Sequence, residues 1–174
     1  TTKGIALFDY SREKNTISIN PSIIVGHHFK FKELHCDDIY LYALDEVDNI
    51  LIYNRKTQKK KILDYKRFKT EKPIRNIYAF SKHLWISTHW NGTYCYNPAN
   101  DELKQLKSID GRLESLSICG LDMKNDSTLI AATPNSILRI AFSGKDYNQS
   151  SIDVQEMLFD NSMYNSFIQN RITK

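Results

Sequence analysis

No run of about eighteen apolar residues occurs in this chain of 174 residues, so no stretch reads as a membrane-spanning helix. The opening TTKGIALFDY has neither the charged n-region nor the apolar h-region of a signal peptide. Cysteine is sparse. Cys36, Cys95 and Cys119 form no C-x-x-C pair, which argues against a zinc ribbon and a disulfide scaffold. Each lies in an apolar run, where a free thiol is expected as a small buried hydrophobe. Charge of one sign is lacking too: 24 basic against 20 acidic residues leave only +4. Glycine is scarce, at six, so most tight turns must be made by other residues. What is abundant is Tyr and Phe, at 10 and 8, in a chain 41% apolar and 25% charged. That is an ordinary globular composition, with enough length for one domain with a sizeable core.

The apolar residues recur in a pattern. The segments GIALFD, NILIYN, GTYCYN and SILRIA place Phe8, Tyr53, Tyr96 and Ile140 at separations of 45, 43 and 44 residues. A polar turn follows most of them, then another short β-rich run. Ahead of the last three stand DIYLYAL, HLWIST and TLIAAT, and ahead of those FKFKELHC, IRNIYAF and LESLSICGL. No helical period competes with the alternation and the β-branched and aromatic enrichment. Four short strands repeated every forty-odd residues mark a β-propeller blade, which must stack on its neighbours to bury both faces. The fold predicted is all-β, a propeller fragment of three complete four-stranded antiparallel blades over residues 28–66, 73–107 and 112–159. Residues 1–20 supply the end of an earlier blade and residues 161–174 the start of a later one. Since a closed ring has four to eight blades, the expectation is an arc of a larger ring, with terminal faces apolar enough to drive self-association if isolated.

The segment HLWISTHWNGTYCYNP resembles the two-component regulator propeller repeat through Leu84, Trp85, Ile86, Ser87, Thr88, Gly92, Tyr96, Asn97 and Pro98. TLIAATPNSILRIAF is similar but degenerate, keeping Leu129, Ile130 and Thr133 without Trp or Gly. DIYLYALDEVDNILIYN diverges further and lacks the Thr. The resemblance implies the periplasmic sensor region of a hybrid two-component histidine kinase of the Bacteroidetes type. The parent would be an inner-membrane-anchored homodimer that responds to glycans or their breakdown products. This segment would carry no kinase chemistry, catalytic residue, cofactor or membrane contact. Its partners would be an oligosaccharide, the rest of the propeller and the neighbouring sensor domains.

Trp85 lies on an apolar strand and reads as structural. Trp90 sits in the polar turn that follows. In propellers such turns share one face with the inter-blade connections, which here hold His27, His28 and Arg112. His27, His28, His89, Trp90 and Arg112 are therefore the candidate ligand-binding set, with an aromatic platform, imidazoles and a guanidinium suited to a sugar ring or a carboxylated sugar. The competing reading is that Trp90 covers a neighbouring blade. The histidines lack Cys or carboxylate at ligand spacing, so no metal is expected. Asp37-Asp38 and Asp45-Glu46 fall where turns favour Asp. Residues 55–72 carry nine basic and two acidic side chains. Lysines along an exposed edge strand block strand addition. Contact with an acidic glycan is the alternative there, and nucleic acid is not expected. Asn91, Asn125 and Asn148 open Asn-x-Ser/Thr triplets, a number close to chance. A protein-interaction scaffold and a propeller lyase remain as other functions for the same fold.

Overall fold

Alternation of apolar side chains makes each short segment a strand, and polar turns fold each strand back on the last. A computed structural model describes residues 6–11, 16–23, 30–68, 73–144, 147 and 151–157, the first two segments as backbone only. The strands are β1 (Ala6–Ser11), β2 (Thr16–Ile23), β3 (Phe31–Cys36), β4 (Tyr40–Asp45), β5 (Ile50–Asn54), β6 (Lys60–Leu63), β7 (Ile74–Phe80), β8 (His83–Thr88), β9 (Thr93–Asn97), β10 (Glu102–Gln105), β11 (Gly120–Asn125), β12 (Thr128–Ala132), β13 (Ile137–Phe142) and β14 (Ile152–Glu156). They form an antiparallel β1–β2 hairpin and three four-stranded meanders, β3–β6, β7–β10 and β11–β14. Among the described residues helix is confined to two 3-10 turns, and no helix is long and apolar enough to cross a membrane. The fold is all-β, with blade-like sheets in propeller order. The segment 161–174 lies outside the described residues.

The sheets stack face to face. β3 lies beside β7, and β7 beside β11, so the first strands of successive sheets share one edge of the stack. Tyr42, Leu44, Ile50, Ile52 and Leu63 pack against Ile77, Leu84, Ile86, Tyr94 and Tyr96 of the middle sheet. On its other face the middle sheet sends Trp85 and Cys95 against Leu129, Ala131, Leu138, Ile140 and Phe142. The period-2 alternation thus serves both faces, and β4 and β8 read as near-continuous buried runs for that reason. The third sheet is buried on one face, while Ile130, Ala132, Ile137, Arg139 and Ala141 on the other are half-exposed.

The repeat has a packing cause. Tyr53, Tyr96 and Ile140 stand opposite Leu41, Leu84 and Leu129 on the preceding strands. Tyr96 and Ile140 each face the preceding sheet, and Tyr53 points the corresponding way. The Thr of the motif also has a job. Thr88 Oγ1 donates to Gly92 O at 3.0 Å, and Thr133 Oγ1 accepts from Ser136 N at 2.9 Å. Asp45 does the same in the first meander, accepting from Val47 N and Asn49 N at 2.9 and 2.8 Å. The scarcity of glycine is met by Asp48, Gln58, Ser81, Lys82, Trp90 and Asp101, all at positive φ.

Two expectations fail. LESLSICGL is not a strand: Leu113–Ser115 is a 3-10 turn and β11 starts only at Gly120. Ser108 Oγ captures the Leu113 N–H at 3.0 Å, a side-chain bond that competes with a sheet ladder. Of the cysteines only Cys95 is buried; Cys36 is exposed and Cys119 half-buried. β3 alternates half-buried and exposed residues, and Cys36 falls on its exposed phase.

A latch ties the outer edges of the first two sheets. The Asp101 carboxylate takes Arg67 Nη1 at 2.6 Å, Lys61 Nζ and the Tyr96 hydroxyl at 3.0 Å. Arg67, then Lys61, hold its carboxyl well below the usual carboxylate range. A depressed folded pKa contributes stability that is complete above the unfolded value of about 4 and is lost as pH falls below it. Because Asp101 is half-exposed, solvent screening limits the gain to about 1 kcal/mol or less. Asp101→Asn should lower the urea midpoint at pH 6 and flatten its fall between about pH 4 and pH 2. Parallel acid profiles for the two proteins would show that the latch contributes nothing.

Candidate functional site

The turn between β8 and β9 is fixed at nearly every position. Thr88 N and Oγ1 both donate to Gly92 O. His89 N donates to Pro73 O at 3.0 Å, at the entry to β7. Asn91 Nδ2 donates to the Tyr94 hydroxyl at 2.8 Å, and that hydroxyl donates to Phe68 O at 2.9 Å. Gln105 Nε2, on the outermost strand, donates to Asn91 O at 3.0 Å. Burial raises the Tyr94 pKa, keeping its proton available to the Phe68 carbonyl.

Trp90 is the exception. Its φ is +62°, and it is 62% exposed. A left-handed backbone costs a bulky residue about 1–2 kcal/mol, and the indole recovers little of it by burial. Trp85, five residues away, is fully buried. The chain therefore treats its two tryptophans in opposite ways.

The turn meets the next inter-blade connection. Gly92, at φ +71°, brings its backbone so near the carbonyls of Leu113 and Glu114 that a Cβ there would sit 2.8 and 2.9 Å from them. The connection is itself braced. Ile109 N donates to Ile152 O at 3.0 Å, and Arg112 donates through Nε to Asp110 at 2.5 Å and through Nη2 to Val154 O at 2.8 Å. The Ser108 hydroxyl and then Arg112 lower the Asp110 pKa to about 2, so it stays ionised as the arginine's partner.

The candidate residues are thus placed unequally. His89 is half-buried and Trp90 exposed on the turn, and Arg112 is exposed on the connection that this turn contacts. Arg112 spends part of its fork on Asp110 and Val154, leaving less for a ligand than its sequence position implies. His27 and His28 lie outside the described residues. The turn carboxylates act as turn formers: Asp37 caps Ile39 N and Tyr40 N at 2.8 and 2.7 Å. No group of three or more His, Cys, Asp or Glu side chains able to hold a metal occurs among the described residues.

Sequence reasoning missed what adjoins the turn. A cavity of about 600 Å³ follows the outer strand β10, and its lining includes Arg67, Asn91, Tyr94, Lys104, Gln105 and Lys107. That size is usual for ligand sites. The signal was faint: Gln105 and Asn91 are fourteen positions apart and meet only because β9 and β10 pair.

No family model and no curated protein matches the chain. Solved structures do match. One is a chain in a complex of S. cerevisiae Dbp5 bound to Nup159, Gle1, IP6 and ADP. It has a TM-score of 0.53 and 13% identity over 87% of this chain and 42% of that one. Another is the extracellular domain of a putative one-component system from B. thetaiotaomicron, with a TM-score of 0.47 and 12% identity over 93% of this chain and 26% of that one. The chain therefore spans less than half the length of either, and at such identities the first likeness speaks to the fold alone.

Proposed function

We propose that this chain is a non-enzymatic segment of an extracytoplasmic sensor propeller, belonging to a hybrid two-component histidine kinase, and that it takes part in binding a glycan or glycan fragment. The observation that carries the binding part is Trp90: an indole held in a left-handed backbone and left open on a turn that meets an inter-blade connection at Gly92. Strain of this kind is retained where the surroundings enforce it, and it concentrates at ligand-contacting positions. An open indole face offers a sugar ring a stacking platform, with His89 and the free part of the Arg112 fork as polar neighbours. The signalling part rests on the likeness of HLWISTHWNGTYCYNP to the two-component regulator repeat. On this reading the parent is anchored in the inner membrane and this segment lies in the periplasm.

Trp90→Ala in the full-length protein should leave the melting temperature nearly unchanged, because little apolar surface loses cover. Affinity for the glycan ligand, found by array and measured by calorimetry, should fall by about 0.5–2 kcal/mol. A large stability loss with unaltered affinity would make Trp90 a packing residue and end this reading. Turnover of the glycan by the purified protein would instead favour a lyase. A protein partner captured without any glycan binding would favour a scaffold.

A further inference from the structure

The cavity beside β10 has a chemistry of its own. Its cations are Arg67, Lys104 and Lys107, and no carboxylate is among the described residues that line it. Arg67 is paired with Asp101, and Lys104 with Glu102 at 3.8 Å, both side chains of the second pair being half-exposed. Lys107 is exposed and has no ion pair among the described residues. Lys107 is therefore the lining cation that no described carboxylate answers. The carboxamides of the lining point to a second class of contact. Asn91 Nδ2 and Gln105 Nε2 are used within the fold. Their amide oxygens remain as acceptors for hydroxyl donors. Asn91, which lines the cavity, directly follows Trp90 in the turn, although the indole itself is not part of the lining.

We infer that this groove binds the acidic portion of an oligosaccharide. A carboxylate or sulfate ester lies against Lys104 and Lys107, hydroxyls donate to Asn91 and Gln105, and one ring stacks on Trp90. The inference rests on the reading of Trp90 as a sugar platform and adds the charge of the ligand to it. A neutral sugar gains no ionic attraction from the lysines, whereas an anionic one gains attraction that salt weakens. An acidic peptide would satisfy the lysines, but it carries no dense array of hydroxyls for the amide oxygens.

The test is calorimetry on the full-length protein with tetragalacturonate, a chondroitin sulfate tetrasaccharide, cellotetraose and poly-glutamate, each at low and high salt. At least one of the two acidic saccharides should bind about tenfold or more tighter than cellotetraose, and salt should weaken it. Uronate alone, sulfate alone or both would identify the source of the anion. Lys107→Glu should weaken that saccharide by about tenfold without lowering the melting temperature, and Lys107→Arg should restore it. Equal binding of neutral and acidic saccharides, or indifference to Lys107→Glu, would overturn the groove while leaving Trp90 as a sugar platform. Binding of no saccharide at millimolar concentration would overturn both. Poly-glutamate binding as tightly as the acidic saccharides would replace the sugar by an acidic peptide.

Discussion

Trp85→Ala is expected to unfold the junction of the second and third sheets. The indole has no solvent exposure. It stacks on Phe80 at 5.4 Å and meets Phe142 and Tyr147 at 5.7 and 5.0 Å, while His83 closes the near side at 6.5 Å. Its Nε1 donates to Phe80 O at 3.4 Å. Truncation leaves an indole-sized void that four rings from two sheets and a loop cannot all move to fill. Such losses run to about 3–5 kcal/mol, against a total of about 5–15 kcal/mol for a native domain. The Phe80 carbonyl loses a donor as well. Urea unfolding followed by far-UV circular dichroism should show the drop in the full-length protein. Amide exchange should quicken first in β8, β12 and β13, which share this cluster. Trp85→Phe should recover much of the loss, because a ring still meets Phe142 and Tyr147. A loss below about 1 kcal/mol for the alanine variant would be a surface-like value and would contradict the packing described.

The strands were legible because one physical rule, burial of alternating side chains between stacked sheets, writes itself into every repeat. Tyr96 and Ile140 keep their spacing since each fills the same place against the preceding sheet, and Tyr53 points the corresponding way. The rule falls silent where side chains bond to nearby backbone. LESLSICGL is apolar enough to pass for a strand, but Ser108 takes the Leu113 N–H first. Asp45 stands in for the motif Thr, an equivalence that appears only once the strand register is known. In the candidate site, Trp90 was visible as an indole in a polar turn. The bracing of Arg112 was hinted at by Asp110 two residues earlier, though its bond to the Val154 carbonyl depends on the distant β14. Asn91, Gln105 and Lys107 gave no local signal, since their proximity arises from sheet pairing.

Gly92→Ala should cost nearly as much as the loss of Trp85, and for a different reason. Two effects coincide at this glycine. Its φ of +71° strains any residue with a Cβ, by about 1–2 kcal/mol. The added carbon would also sit 2.8 Å from Leu113 O and 2.9 Å from Glu114 O. Those atoms are backbone, and their segment is held: Leu113 N is bonded to Ser108 Oγ, Leu116 N to Leu113 O, and the neighbouring Arg112 to β14. Relief requires the turn and the connection to part, and the turn is itself fastened by Thr88 and Gln105. The combined loss should reach about 2–4 kcal/mol. Gly111 provides the control. Its φ is +73°, yet nothing lies within 4 Å of the corresponding Cβ position, so Gly111→Ala should cost only the backbone strain, about 1–2 kcal/mol. The difference between the two variants, read from urea midpoints at equal m-values, isolates the close approach of turn and connection. Equal losses would mean that the two do not touch as described. That result would also separate Trp90 from Arg112, because Gly92 is the point at which their segments meet.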